Sequence, residues 1–356
     1  MKRLLLAIAL LVSLSMPAYA AQPDDFIAAY AKDHRFSGTI LVQRQGRVSY
    51  ARSFGMANLA FHAPNTPQTP YKIASITKLF TSTLVMQLYE QGRIDLDRPF
   101  ITYLPDYRGE AGRKVTIHQL LNHTSGLPNF DRVTDASDAI HNGLPNYQRP
   151  YTSRQLLDAY CSGNLVHAPG KVFDYNNGDY VVLGKIIEHV YGEPYEQVLA
   201  ERILRPLQLK HTGVLHQSDM VDGLADTYFY RDDLKALAPD LPAYPENWYA
   251  AGAMYSTAGD LLAFSNALFG GKLLKQASLD RMLRPGLDDY GYGLWTYDMT
   301  LNGKPHRVAK RPGRIMGAQT QLFRVLDQDT TIVLLSNTGT TDLDAFVAEI
   351  ARRTAE

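Results

Sequence analysis

The architecture of this 356-residue chain is set by the segment Tyr71-Lys72-Ile73-Ala74-Ser75-Ile76-Thr77-Lys78-Leu79-Phe80, which continues as Thr81-Ser82-Thr83-Leu84-Val85-Met86-Gln87-Leu88. Its large apolar residues recur at i, i+3, i+4, i+8 and i+12, the spacing of one helical face. They are Ile76, Leu79, Phe80, Leu84 and Leu88. Gly92 follows as a helix-stop residue. The pattern predicts a largely buried helix around which the rest of the chain is organised.

Ser75 and Lys78 stand near the start of this helix, three residues apart. That spacing places two side chains on one helical face, with roughly 5–6 Å between their Cβ atoms. A serine hydroxyl becomes a good nucleophile when an adjacent base takes its proton, and burial or nearby positive charge can lower a lysine pKa enough for it to help. S-x-x-K is the arrangement of serine acyl-transfer enzymes. Because the spacing also occurs by chance, other motifs are needed to show whether Ser75 and Lys78 are catalytic.

The first 20 residues have the three parts of a secretory signal peptide. Met1-Lys2-Arg3 is basic, Leu4 to Leu14 is apolar, and Pro17-Ala18-Tyr19-Ala20 ends in small residues. We predict cleavage after Ala20, which leaves residues 21–356 as the catalytic domain of a periplasmic or secreted protein. The apolar run is shorter than the roughly 20 residues that a membrane-spanning helix needs. A retained anchor is the alternative.

Charge and cysteine content exclude several classes of protein. The 36 basic and 36 acidic residues become 34 against 36 once Lys2 and Arg3 are removed, a net charge of −2. This balance gives no electrostatic basis for binding nucleic acid or an anionic membrane surface. The single cysteine, Cys161, excludes an internal disulfide and is expected to be a small buried residue. The sequence has no metal-ligand pattern, phosphate loop or dinucleotide fingerprint, so we predict no metal and no cofactor.

The periodicity along the chain predicts an α+β fold. The predicted strands are 38–43, 47–52, 292–297, 319–325 and 330–336. The predicted helices between the two groups of strands, after the Ser75 helix, are 117–121, 153–160, 180–190, 195–204, 258–268 and 279–283. We expect one antiparallel sheet flanked by the terminal helices 24–31 and 342–351. The sheet lobe would take about 22–65 and 286–356, and a mostly helical lobe about 66–285, with the Ser75 helix where the lobes meet.

Tyr175 and Asn177 stand two residues apart in a polar, turn-rich run before a predicted helix. In an extended or looping segment, side chains at that spacing point the same way. The ordinary pKa of a tyrosine phenol is about 10, so action as a base near pH 7 needs this pKa to fall by about three units, or roughly 4 kcal/mol. Lys78 could supply much of that shift. Taken alone, the segment would be a helix-capping loop.

We expect a third part of the site, after the Ser75 and Tyr175 motifs, to come from the sheet. It would be the edge of a strand that lines the cleft between the two lobes. The candidate segment, 310–317, precedes the predicted strand 319–325. Within it, Gly313 lets a substrate approach the backbone closely. Arg311 brings a fixed positive charge suited to a carboxylate.

With three elements in this order, the chain resembles the serine β-lactamase and penicillin-binding-protein superfamily. The closest branch contains class C β-lactamases, D-alanyl-D-alanine carboxypeptidases, D-aminopeptidases and related esterases. The matching motifs are Ser75-Ile76-Thr77-Lys78 for S-x-x-K, Tyr175-Asn176-Asn177 for Y-x-N, and the stretches Leu120 to Pro128, Ala251 to Leu261 and Tyr290 to Trp295. His123, in the first of these stretches, is expected to stabilise a turn rather than to catalyse.

The resemblance implies a β-lactamase/transpeptidase-like fold and an acyl-enzyme route. Ser75 would attack a carbonyl while Lys78 and Tyr175 manage its proton and Asn177 binds substrate. The backbone N–H groups of Ser75 and Arg314 would hold the oxyanion. The family's third motif is usually K-T-G or H-x-G, whereas this chain has Arg311-Pro312-Gly313. Because Pro312 lacks both a hydroxyl and an N–H, we expect low or absent penicillin hydrolysis, with peptidase or esterase activity on another substrate.

Two classes of function remain open from the sequence. The first is an exported serine hydrolase acting on a small peptide, ester or β-lactam. Its leading form is a D-alanyl-D-alanine carboxypeptidase or D-amino-acid peptidase, with a carboxylesterase or a weak class C-like β-lactamase as alternatives. The second is a binding or scaffolding protein on the same fold that has lost turnover. Acylation at Ser75 separates the two classes.

Overall fold

A six-stranded antiparallel sheet forms one side of the protein. The computed structural model describes residues 23–131 and 136–355, so the predicted signal peptide lies outside the described residues. The sheet strands are β1 (Gly38–Arg44), β2 (Arg47–Phe54), β3 (Trp295–Leu301), β4 (Lys304–Ile315), β5 (Ala318–Val325) and β6 (Thr330–Ser336). Their order across the sheet is β3-β4-β5-β6-β1-β2, so the N-terminal hairpin joins the C-terminal strands through the β1–β6 pair. This arrangement confirms the predicted antiparallel sheet.

The central strands β1 and β6 are buried along almost their whole length. Because side chains alternate between the two faces of a strand, each of these strands contributes side chains to a hydrophobic core on either face of the sheet. Ile40 and Val42 of β1 pack on the side of the terminal helices, whereas Leu41 packs on the helical side of the protein. Both faces of the sheet are therefore covered.

Twelve α-helices lie within the described residues. They are α1 (Pro23–Asp33), α2 (Thr77–Glu90), α3 (Ala111–Lys114), α4 (Ile117–Leu121), α5 (Ala136–Asn142), α6 (Ser153–Tyr160), α7 (Asn177–Tyr191), α8 (Tyr195–Leu199), α9 (Tyr249–Gly252), α10 (Ala258–Phe269), α11 (Gln276–Met282) and α12 (Leu343–Thr354). None of these has the length and apolar character to cross a bilayer. Helices α1 and α12 pack on one face of the sheet, as predicted, where Tyr30 stacks on Phe346 with ring centroids 4.1 Å apart.

Shorter strands complete the fold around the helices. They pair as Met56–Asn58 with Ala63–Pro64, Met254–Ser256 with both Tyr71–Lys72 and Gly213–Val214, and Tyr228–Arg231 with Ala236–Pro239. The pairing of Tyr71–Lys72 with Met254–Ser256 holds the chain directly before Ser75. The entry into the reactive segment is thus fixed by backbone hydrogen bonds.

Helix α2 is buried along nearly its whole length, which confirms the prediction. Phe80 stacks on Phe264 of α10 with ring centroids 3.8 Å apart. The buried hydroxyl of Thr81 donates to the carbonyl of Ala250 at 2.7 Å, so this polar group is satisfied inside the core. The helix ends at Glu90, and Gly92 just beyond adopts φ +68°, the left-handed backbone that ends many helices.

Two strand predictions need correction. The predicted strand 292–297 begins instead at Trp295, because Gly293 has φ +82° and the preceding residues form a turn. The long strand β4 was anticipated only as an edge near 310–317. Its prolines and basic residues hide the alternation that reveals a strand.

One helix prediction also needs correction. Residues 195–204, predicted as one helix, form α8 followed by a π-helical segment, Ala200–Leu204.

Candidate active site

Ser75 sits in a strained turn directly before α2. A 3₁₀ turn, Ala74–Ile76, precedes the helix, and Ala74 has φ +47°, a left-handed backbone that residues with a Cβ rarely adopt. Such strain persists where the surrounding structure enforces it, and it is frequent at functional sites. Ala74 and Ile76 are buried, whereas Ser75 is partly exposed. The turn therefore presents the serine hydroxyl outward from a rigid core.

Lys78 is fully buried beneath Ser75 and makes three hydrogen bonds. Its ammonium lies 3.2 Å from Ser75 Oγ, 2.6 Å from Asn177 Oδ1 and 2.9 Å from the carbonyl of Ala251. The pKa of Lys78 is lowered to about 8, mainly by burial. The charge of Arg311 acts in the same direction, and Tyr175 opposes it. A lysine with this pKa can exchange a proton near neutral pH.

Tyr175 lies on the other side of the serine. Its hydroxyl is 2.8 Å from Ser75 Oγ and donates to it when the phenol is neutral. Burial opposes ionisation, but the charges of Arg311 and Lys78 outweigh it and bring the pKa of Tyr175 down to about 8. As a phenolate, Tyr175 would accept the serine proton across the same contact. The pair Lys78 and Tyr175 therefore titrates near neutral pH.

Arg311 is the residue whose placement differs most from expectation. We expected its charge to face a substrate carboxylate, but the side chain is 1% exposed. The guanidinium donates to the hydroxyl of Tyr175, to the hydroxyl of Tyr290 at 2.8 Å and to the carbonyl of Gly293 at 3.3 Å. It also lies 5.5 Å from the ring centroid of Trp295. Its buried charge therefore acts on Tyr175, and its role toward substrate stays a prediction.

Asn177 links Lys78 to a carboxylate. While its Oδ1 accepts from Lys78, its Nδ2 donates to Asp131 Oδ2 at 2.6 Å. The hydrogen bond to Asp131 fixes the orientation of the amide, so that its oxygen faces the lysine. Asp131 was not a sequence prediction. It follows the Leu120 to Pro128 stretch within three residues, but a lone aspartate in a loop gives no pattern to detect.

Strand β4 lies against the reactive turn. A Cβ placed on Gly313 would come within 2.3 Å of the carbonyl of Ile73 and 3.1 Å of the nitrogen of Ser75, so only glycine fits. Strand β3 pairs with β4 no further than Lys310, which leaves residues 311–315 as a free edge on that side. A proline is tolerated at such an edge because no ladder partner is lost there. This edge is available to a substrate backbone.

Strand alternation separates Arg314 from Arg311. Arg314 and Lys310 both reach Asp344 of α12, each at 2.9 Å. The guanidinium of Arg314 thus has a carboxylate partner, and the role predicted for the backbone N–H of Arg314, as an oxyanion donor, stays a prediction. Of the predicted site residues, Ser75, Lys78, Tyr175 and Asn177 form one hydrogen-bonded array, which we call the Ser75 array. Arg311 is attached to it through the hydroxyl of Tyr175.

A buried polar platform supports the Tyr175 turn. His123 Nδ1 lies 2.9 Å from Asp179 Oδ2, and the His123 carbonyl accepts from the nitrogen of Asp174 at 2.9 Å. The His123 ring is 4.5 Å from the ring of Tyr175. Burial lowers the pKa of His123 and raises that of Asp179. His123 does stabilise a turn, as expected, and the turn that it supports is the one that carries Tyr175 and Asn177.

A cavity of about 910 Å³ opens beside the Ser75 array. Its wall includes Asn177, Asp131 and Arg314 but not Ser75, whose partly exposed hydroxyl is linked to Asn177 through Lys78. Aromatic rings form much of the remaining wall, among them Phe130 and Trp248. The volume suits a small organic substrate or a short peptide.

Comparison with known proteins agrees with this geometry. Residues 23–356 match the beta-lactamase family. Penicillin-binding protein 4* of Bacillus subtilis (strain 168) is 28% identical over 324 residues, which cover 85% of this chain and 68% of that protein. Teichoic acid D-alanine hydrolase of Staphylococcus aureus is 26% identical over 325 residues, which cover 87% of this chain and 72% of that protein. The chain spans 64% to 72% of the curated relatives that align over most of it.

A solved structure gives the same result. The D-stereospecific amidohydrolase of a Streptomyces species superposes with a TM-score of 0.78 at 26% identity, covering 95% of this chain and 99% of that chain. The family match takes in the whole of the Ser75 array and both segments of the sheet. We conclude that the chain belongs to the beta-lactamase family, as the sequence motifs indicated, and that it is a serine hydrolase.

Proposed function

We propose that the protein is an exported hydrolase that forms an acyl-enzyme on Ser75, of the D-alanyl-D-alanine carboxypeptidase or D-amino-acid peptidase type. The observation that carries the proposal is the convergence of Lys78 and Tyr175 on one serine hydroxyl, at 3.2 and 2.8 Å. Two groups with pKa values of about 8 at the same oxygen are suited to removing its proton and returning it. The names of similar proteins, a D-stereospecific amidohydrolase and a teichoic acid D-alanine hydrolase, favour a D-amino-acid acyl group.

The reaction would run in two steps. In the first, Ser75 Oγ bonds to the substrate carbonyl carbon, and its proton passes through Tyr175 or Lys78 to the leaving amine or alcohol. The oxyanion is stabilised by the backbone N–H of Ser75 and that of Arg314 on the free edge of β4. In the second, water attacks the ester to Ser75 while the same pair takes the water proton and returns one to Ser75 Oγ. Asn177 holds Lys78 in place and faces the substrate.

Release of D-alanine tests this function. The mature protein, residues 21–356, would be incubated with a D-alanyl-D-alanine peptide and with D-alanine amide, and free D-alanine would be quantified. We expect turnover of at least one of them that disappears in Ser75→Ala and falls strongly in Lys78→Ala. Equal rates in the native protein and in Ser75→Ala, or no turnover of either compound, would contradict the proposal.

Penicillin distinguishes the peptidase from a β-lactamase. Because Pro312 cannot offer a hydroxyl or an N–H to a substrate carboxylate, we expect penicillin hydrolysis to be low or absent. A catalytic efficiency toward penicillins near the diffusion ceiling of about 10⁸ M⁻¹ s⁻¹ would refute this expectation.

A further inference from the structure

Asp131 is a carboxylate in the wall of the large cavity, one amide group away from Lys78. Its Oδ2 accepts from Asn177 Nδ2 at 2.6 Å, and its Oδ1 accepts from the hydroxyl of Tyr147. Both partners are neutral donors. Holding Asn177 in place needs a hydrogen-bond acceptor at this position, and a neutral side chain would serve. The charge of Asp131 therefore calls for a separate explanation.

Among the described residues, Asp131 forms no direct ion pair with a cation, and the charge of Lys78 stabilises the carboxylate only across the Asn177 amide. Within residues 23–131 and 136–355, no lysine, arginine or histidine forms an ion pair with Asp131, and Lys78 lies on the far side of the Asn177 amide. Burial raises the pKa of Asp131 because the charged form is poorly solvated there. A poorly solvated carboxylate without a paired cation is costly, and a cationic ligand would lower that cost.

The cavity around Asp131 is negative and aromatic. Its charged lining residues, among those described, are Asp131, Asp138 and Arg314, and the guanidinium of Arg314 is bound to Asp344. The rings of Phe130 and Tyr160 lie 5.4 Å apart in the same wall. Carboxylates combined with aromatic faces form a suitable environment for a small organic cation.

We propose that Asp131 binds a primary ammonium group of the substrate, so that the enzyme acts on D-aminoacyl amides or esters whose α-amino group is free. The inference rests on the proposed acyl-enzyme function. In such a substrate the ammonium lies one carbon from the carbonyl that Ser75 attacks, and Asp131 is connected to that serine by hydrogen bonds through Asn177 and Lys78. The acyl residue would then be the N-terminal residue of its substrate, which favours an aminopeptidase or amidase over a carboxypeptidase.

A matched pair of substrates tests the inference. D-alanine p-nitroanilide carries the ammonium, and N-acetyl-D-alanine p-nitroanilide lacks it but has the same scissile bond. The variants are Asp131→Asn, which keeps an acceptor oxygen for Asn177, and Asp138→Asn, which removes the other carboxylate of the cavity wall. We expect Asp131→Asn to lower kcat/KM for the free-amine substrate by roughly 10- to 150-fold, as for loss of a charged hydrogen bond. The loss for the N-acetyl substrate should be smaller, because any effect through Asn177 is common to both substrates. Asp138→Asn should change kcat/KM for neither substrate by more than about threefold.

The pH dependence gives an independent readout. The ratio of kcat/KM for the two substrates cancels the titration of the enzyme's own groups, since both substrates meet the same Lys78 and Tyr175. We expect this ratio to fall as the pH rises through the pKa of the substrate amine, about 8. In Asp131→Asn the ratio should be low and flat at every pH.

Three results would overturn the inference. An equal decrease in kcat/KM for both substrates in Asp131→Asn would show that Asp131 acts by orienting Asn177. No decrease for either substrate would show that the charge of Asp131 does not contribute to catalysis. A native ratio that does not fall with pH would show that the ammonium is not recognised. Should neither substrate be hydrolysed, calorimetry on Ser75→Ala separates the two proposals. Binding of D-alanine amide that Asp131→Asn abolishes would keep the inference while the hydrolase function fails, and absent or unchanged binding would end both.

Discussion

Replacement of Arg311 by methionine should shift the acid limb of the pH–rate profile to higher pH. Arg311 is buried against Tyr175 and is, after burial itself, the leading influence on the pKa of that phenol. Its charge also lowers the pKa of Lys78. Without it, both groups bind their protons more tightly, so the same shift is expected whichever of them accepts the serine proton.

The size of the effect follows from the pKa of Tyr175. With a pKa of about 8, about one phenol in ten is ionised at pH 7, whereas at the ordinary value of 10.0 about one in a thousand is. The difference corresponds to about 2.7 kcal/mol. Burial, which raises the pKa of Tyr175, is then opposed only by Lys78 and by the hydrogen bond to Ser75. We therefore expect kcat/KM at pH 7 to fall by about 100-fold or more in Arg311→Met, and the acid limb to move up by about two units.

The assay is kcat/KM for a p-nitrophenyl ester between pH 5 and 10, with Arg311→Lys as the matched control. Lysine keeps the positive charge but loses the planar fork that reaches Tyr175 and Tyr290 together, so its acid limb should stay within about one unit of the native position. The midpoint of the limb does not depend on how much of the protein is folded. A methionine variant whose limb stays at the native pH would refute the assignment of Arg311 as the group that tunes Tyr175.

Three further predictions concern packing around the Ser75 array. Gly313→Ala should lower kcat/KM by about 100-fold or more, because the new Cβ would push β4 away from the nitrogen of Ser75. The control is Gly259→Ala, which should have near-native kcat/KM because its Cβ would meet a single atom at 4.0 Å. Phe80→Ala should lower the free energy of unfolding by about 3–5 kcal/mol in a denaturant titration, against less than about 0.5 kcal/mol for Phe61→Ala, which is 84% exposed. His123→Ala should lower the free energy of unfolding by about 2–3 kcal/mol in the same titration. Asp179 would keep its hydrogen bond from Ser125 but lose its buried contact with His123. A decrease of less than about 1 kcal/mol would contradict the proposed support of the Tyr175 turn.

The parts of the site that the sequence predicted are those with short, fixed spacings. Ser75 and Lys78 are brought together by one helical turn, and Tyr175 and Asn177 lie on either side of Asn176, the extended N-cap of α7, so each pair was visible locally. The apolar periodicity of α2 and the alternation in β1 and β6 likewise follow from burial on one or both faces.

The remainder of the site depends on contacts between segments far apart in the sequence. Asp131 meets Asn177 across 46 residues, and Arg311 meets Tyr175 across 136. No local pattern reports which partner a buried charge will find. Arg311 was therefore predicted to face a substrate, whereas alternation along β4 and the hydroxyls of Tyr175 and Tyr290 place it inside the protein.

Intact mass of the protein after incubation with a fluorophosphonate shows directly whether Ser75 is the nucleophile. We predict a single adduct that peptide mapping assigns to Ser75, and no adduct in Ser75→Ala under the same conditions. The folded state of the variant would be checked by its thermal unfolding. An adduct of equal yield in both proteins, or none in the native protein, would contradict the assignment of Ser75 as the nucleophile.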